Sequence, residues 1–122
     1  MAEVGTHDYT SGKTHDAVSI NSGATSSVDL VTQGYERLDL LARMPAGASG
    51  DLVVNVQAYE NDGTTLFAVN LPTDQAVATA LASGVDRYFA TFKLGGINKV
   101  SVQVTNNNAS PRAATVTYYL AD

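Results

Sequence analysis

From Ala17 onward, short apolar runs rich in Val, Leu, Ile, Thr and Tyr are broken by Gly, Asn, Asp, Ser and Pro. That spacing belongs to strands and turns rather than to helices. The alternation is cleanest in three sets: Leu52, Val54, Val56 and Ala58; Val100, Val102 and Val104; and Ala114, Val116, Tyr118 and Leu120. Within each set the apolar residues stand two apart, so they share one face of a pleated strand. The intervening Asn55, Gln57, Ser101, Gln103, Thr115 and Thr117 are polar. Each strand therefore has a dry and a wet face, as strands of antiparallel sheets do.

The pattern predicts strands over Ala17–Ile20, Ser26–Val31, Tyr35–Met44, Asp51–Tyr59, Thr64–Leu71, Arg87–Leu94, Ile97–Thr105 and Arg112–Leu120. The expected fold class is all-β: an antiparallel, jelly-roll-like β-sandwich of about eight strands with an extended N-terminal arm. Asn61-Asp62-Gly63 and Gly95-Gly96 have the chemistry of hairpin turns, and the last three strands are expected to form a meander. Thr73–Ser83 reads either as a short helix, capped by Thr73 or Asp74 and stopped by Gly84, or as an ordered crossing loop. Residues 1–16 lack apolar periodicity and are read as the arm, leaving 17–122 as the sandwich domain. The triplets Thr6-His7-Asp8 and Thr14-His15-Asp16 are two copies only, too few for a repeat architecture.

A length of 122 residues with 44% hydrophobic and 16% charged residues fits one folded domain. The chain is too apolar for a disordered one and too interrupted for a membrane span. It has no cysteine, which removes disulfides and thiolate metal sites. The net charge is −5 and the seven Lys and Arg are scattered singly. Binding to nucleic acid is therefore not expected, because phosphate neutralisation needs clustered cations. The first residues have neither a basic start nor an apolar run, so no secretory signal is read there, and Met1 agrees with synthesis in a cytoplasm.

Catalytic constellations are hard to assemble from these residues. The two candidate bases, His7 and His15, both fall in the arm, and a general base must be held within hydrogen-bond reach of its target. The expectation is a protein that is not an enzyme. His7, Asp8, His15 and Asp16 have metal-ligating side chains, yet a closed site needs all of them to converge, and a solvated polar arm is the plainer reading. Asp51, Glu60, Asp62 and Asp74 lie in predicted loops without EF-hand spacing and read as turn-forming acids. Leu94-Gly95-Gly96-Ile97 has no phosphate-loop lysine and no dinucleotide spacing, and no cofactor is expected. In the pairs Tyr88-Phe89 and Tyr118-Tyr119 one member must point away from the core.

Ser27-Val28-Asp29-Leu30, Gly34-Tyr35-Glu36-Arg37-Leu38-Asp39-Leu40 and the run Val53 to Gly63 resemble small β-sandwich structural proteins of tailed bacteriophages. Phe89 to Leu94 and Ile97 to Thr105 share that texture. The resemblance spans most of Ala17–Leu120 and carries no single diagnostic motif. It implies a capsid decoration, or cement, protein: a homotrimer on the virion surface that binds the major capsid protein, with no nucleic-acid or membrane partner. The arm would then make the shell contact, with Thr6, His7, Tyr9, Lys13 and His15 as its partner-binding residues. The alternative is a receptor- or carbohydrate-binding module of a fibre or a lectin-like β-sandwich, which calls for a solvent-facing aromatic patch with amides nearby.

Overall fold

The computed structural model describes residues 9–122, with backbone alone for Gln75–Ala82. Nine strands follow in chain order: β1 Tyr9–Ile20, β2 Thr25–Val31, β3 Arg37–Pro45, β4 Leu52–Tyr59, β5 Leu66–Asn70, β6 Gln75–Ala82, β7 Val85–Lys93, β8 Lys99–Asn106 and β9 Arg112–Ala121. No helix occurs among the described residues.

All pairings are antiparallel, within a five-stranded sheet ordered β1-β9-β3-β7-β6 and a four-stranded sheet ordered β2-β8-β4-β5. The pairing is nested: β1 with β9, β2 with β8, β3 with β7, and β4 with β5. A long antiparallel ribbon folded over so that successive strand pairs fall in alternate sheets gives this order, which is a jelly roll. β6 is an addition outside β7.

Alternation explains why the two sheets stack. Leu38, Leu40, Ala42 and Met44 of β3 are buried, and so are Ala90 and Phe92 of β7 and Ala114, Val116 and Leu120 of β9. They meet Leu52, Val54 and Val56 of β4 and Val100, Val102 and Val104 of β8 in one core. Truncating a side chain such as Phe92, which is 2% exposed, to Ala costs about 3–5 kcal/mol in a core of this kind. Buried polar groups tie the ends together. The Asn106 amide donates to the carbonyls of Ile20 and Ser110 (both 2.9 Å) and accepts from the Asn108 N–H (2.7 Å).

Each of the eight expected strands has a counterpart, and Asn61-Asp62-Gly63 does join the paired strands β4 and β5. Three expectations are corrected. First, Thr73–Ser83 is neither helix nor loop, because Gln75–Ala82 pairs with β7 through a turn at Ser83 (φ 53°) and Gly84 (φ 74°). Two successive positive φ values match the twist of a hairpin, and the free edge of β7 overrides the helix propensity of the alanines.

Second, Gly95-Gly96 makes no hairpin. Both glycines have positive φ (55° and 91°), and the Ile97 N–H donates to the Leu94 carbonyl (3.0 Å), but the turn carries the chain from one sheet to the other. Since β7, β8 and β9 alternate between sheets, they form no meander. Third, the expected arm is strand from Tyr9 onward, and Tyr9–Asp16 belongs to β1 on the edge of the five-stranded sheet.

Candidate interaction surface

Among the described residues no three metal-ligating groups converge, and no helix is long and apolar enough to cross a membrane. The acids that sequence reading placed in loops serve their own turns. Asp51 accepts from the N–H groups of Gly47 and Ala48 (3.2 Å each) and from the Asn108 amide (2.8 Å), and that last bond does most to hold its carboxyl below the usual range. Asp62 accepts from the Thr65 hydroxyl (2.5 Å) and from the N–H groups of Thr65 (2.8 Å) and Thr64 (2.9 Å), which lower its pKa to about 2. Asp74 stands 3.6 Å from the Lys93 ammonium, and Glu60 lends backbone groups to the β4–β5 turn.

Of the five proposed partner-binding residues, Thr6 and His7 lie outside the described residues, as does Asp8. Tyr9 opens β1 with 62% of its surface exposed, and Lys13 faces solvent 3.6 Å from Asp16. His15 is different, being fully buried. Lys13 pairs with Thr117 while His15 pairs with Val116, so β1 advances two residues against one and a bulge reverses which face its side chains take. His15 therefore points inward, where Nε2–H donates to the Ser26 carbonyl (3.1 Å) and Nδ1 accepts from the Thr14 hydroxyl (2.9 Å). Burial lowers its pKa, and the Ser26 bond opposes that shift only in part. A residue in this position stitches β1 to β2 and presents nothing to a partner.

The outward face of the five-stranded sheet carries the chemistry that no motif announced. Register aligns its side chains in rows across the strands: Thr115-Arg43-Arg87, then Lys13-Thr117-Leu41-Phe89, then Ser11-Tyr119-Asp39-Thr91, then Tyr9-Ala121-Arg37-Lys93. Five of the chain's seven cations stand in these rows, namely Lys13, Arg37, Arg43, Arg87 and Lys93, with Asp39 as the single carboxylate. A chain of net charge −5 thus shows one cationic face.

Arg43 and Arg87 are direct cross-strand neighbours. Like charges so placed repel and cost stability unless an anion sits between them. Beside them an open hollow of about 320 Å³ is lined by Leu41, Arg43, Arg87, Phe89, Thr115 and Thr117. Leu41, 44% exposed, and Phe89 face each other across β3 and β7. As the aromatic pairs required, Tyr88 and Tyr118 pack against the core while Phe89 and Tyr119 face out. The legible signal was Leu41, an apolar residue out of phase with Leu38, Leu40, Ala42 and Met44.

The outward face of the four-stranded sheet spends its polar groups on itself. The Gln103 amide donates to Gln57 (3.1 Å), which donates to Asn70 (2.9 Å), and the hydroxyls of Thr25 and Thr105 are 2.7 Å apart. The Tyr59 hydroxyl donates to Asp29 (2.7 Å), a bond that raises its pKa, and Lys99 sits 4.6 Å from the Tyr59 ring centroid. At the open edge of this sheet β5 exposes Phe67 and Val69.

Neither a protein-family model nor a curated protein sequence matches the chain. Solved structures do share its fold. The SPBc2 prophage-derived protein YomS is similar with a TM-score of 0.57 at 15% identity over 95% of both chains. VP2 of the infectious bursal disease virus subviral particle is similar with a TM-score of 0.55 at 11% identity, over 95% of this chain and 32% of that one. The chain thus spans about a third of VP2 and nearly all of YomS. At these identities the likeness is one of fold.

Proposed function

We propose that the protein is a non-catalytic structural component of a virion, a capsid decoration or cement protein that docks as a trimer on the assembled head. The observation that carries this reading is the outward face of the five-stranded sheet, where an exposed Leu41 and a half-buried Phe89 stand among cations. An apolar strip rimmed by charge suits docking on another protein better than it suits turnover. The shared fold of a prophage-derived protein and of one portion of a capsid protein supports it. The mechanism is mass action: a protein that binds only the assembled shell stabilises it by about 4 kcal/mol per site at a thousandfold excess over Kd. Repeated over many sites, that resists expansion and internal pressure.

Two measurements test it. Mass spectrometry of density-purified particles from the source culture is expected to find this chain among the virion proteins, and its absence overturns the virion reading. Light scattering is expected to give three times the chain mass, and a monomer at high concentration removes the trimer. Segment 2–8, rather than the whole expected arm, is the deletion that tests a terminal shell contact, because residues from Tyr9 onward pair with β9.

A glycan-binding module is the second reading, favoured by the amides of Asn55, Gln57, Asn70 and Gln103 beside Tyr59 on the four-stranded face. Three of those amides and the Tyr59 hydroxyl are already bonded within the chain, so a sugar would have to displace them. A glycan array with no bound sugar removes this reading.

A further inference from the structure

Successive rows on the outward five-stranded face are two residues apart along a strand, about 6.6–6.8 Å. An extended peptide presents alternate side chains to one side at the same spacing, so a segment lying along β3 meets one row with every second residue. We propose that this face binds an extended acidic segment of a partner protein, with a carboxylate between Arg43 and Arg87 and an apolar side chain two residues later on Leu41 and Phe89.

The rows specify the segment further. Asp39 and Thr91 in the third row meet a hydroxyl side chain at the fifth position, and Arg37 and Lys93 in the fourth meet a carboxylate at the seventh. The two carboxylates are unequal. Arg37 lies 3.3 Å from Asp39 and Lys93 lies 3.6 Å from Asp74, so their charge is partly answered within the chain. Arg43 makes no ion pair among the described residues, and its cross-strand neighbour is another arginine. The first carboxylate relieves that repulsion, and two guanidinium groups bind it as forked donors. The hollow beside them accepts the apolar side chain.

A nucleic acid fits the same face poorly. Its phosphates would meet Asp39 inside the cationic field, and Asp16 and Asp74 at its rim. The apolar strip at Leu41 and Phe89 would lie against the polar backbone. This inference concerns the chemistry of the partner and holds whether or not that partner is a capsid.

The test is fluorescence anisotropy of a fluorescein-labelled, capped peptide Glu-Ser-Leu-Ser-Thr-Ser-Glu with the full chain. Binding is expected to be saturable and to weaken as salt rises. Changing the first Glu to Gln is expected to weaken it about tenfold, the loss of a charge-assisted hydrogen bond, with a smaller effect at the last Glu. The double variant R43Q/R87Q is expected to lose binding while keeping a single cooperative unfolding transition, which shows that it still folds. The proposal is overturned if no binding occurs at millimolar peptide. It also falls if the Gln peptide, or a scramble placing Leu beside Glu, binds equally, or if R43Q/R87Q keeps full affinity. Self-association of the chain that R43Q/R87Q abolishes, without peptide binding, assigns the face to a second copy and overturns it too.

Discussion

The phenolic end of Tyr118 lies over the backbone of Gly12, its cross-strand partner, so that a Cβ at residue 12 would stand 2.7 Å from the hydroxyl oxygen. An aromatic ring laid on a strand glycine covers backbone that has no side chain to protect it. Gly12→Val is expected to cost about 1–3 kcal/mol, because the ring must leave its place against the core. Urea denaturation measures it. The double variant with Tyr118→Leu should cost less than the sum of the two single changes, and strict additivity would show that the contact is not what matters.

His15 makes stability fall in acid. Its folded pKa lies below 6.5, so the folded state resists the proton that the unfolded chain takes up. The stabilising contribution is whole above pH 6.5 and is lost progressively as pH falls below 6.5 toward the folded pKa. His15→Gln is expected to flatten stability against pH in that window, read by chemical denaturation at pH 7, 6 and 5. A slope as steep as the parent's would assign the acid sensitivity to other groups.

Asp86 holds the two sheets in register at one end. It is buried on β7, and its Oδ2 accepts the N–H groups of Gly50 (3.0 Å) and Leu52 (3.1 Å) at the entry to β4. Asp86→Ala leaves two backbone donors without their partner and is expected to cost about 2–4 kcal/mol. Asp86→Asn keeps an acceptor and should fall between alanine and the parent in midpoint. Equal loss from both substitutions would mean that charge, not the acceptor, is required.

The β4–β5 turn has its own pH signature. Asp62 titrates at about 2 instead of 3.8, so its bonds to Thr64 and Thr65 stabilise the folded chain above pH 3.8 and are lost as pH falls toward 2. In Asp62→Ala the turn amides should exchange faster with solvent at pH 6 while amides of β8 stay protected. Unchanged exchange at Thr64 and Thr65 would show that Gly63 alone holds the turn.

The sandwich was legible because its strands keep strict phase: Val54, Val56, Val102, Val104 and Val116 are each buried where alternation puts them. What alternation cannot convey is which strand pairs with which. Gly95-Gly96 has the same local chemistry in a hairpin and in a turn between sheets, and only the pairing of β7 with β3 and β6, and of β8 with β2 and β4, tells them apart. His15 escaped for a related reason. Parity counted from Lys13 puts it outside, and the bulge between Lys13 and His15 that reverses parity has no residue signature.

The cationic face was hidden for a third reason. Its residues come from strands far apart in the chain, so Lys13, Arg43 and Arg87 look like scattered single charges until the register brings them together. Arg43 and Arg87 are 44 positions apart in number and direct neighbours in the sheet.

The outermost pair of the nested ribbon joins Tyr9 to Ala121, residues more than a hundred positions apart. Closing so large a loop costs entropy that local contacts cannot offset, and topologies of this kind fold in milliseconds to seconds rather than microseconds. During synthesis β1 is the first strand to emerge and the last to find its partner. Until β9 leaves the ribosome, β1 stays an unpaired edge, open to any other strand within reach.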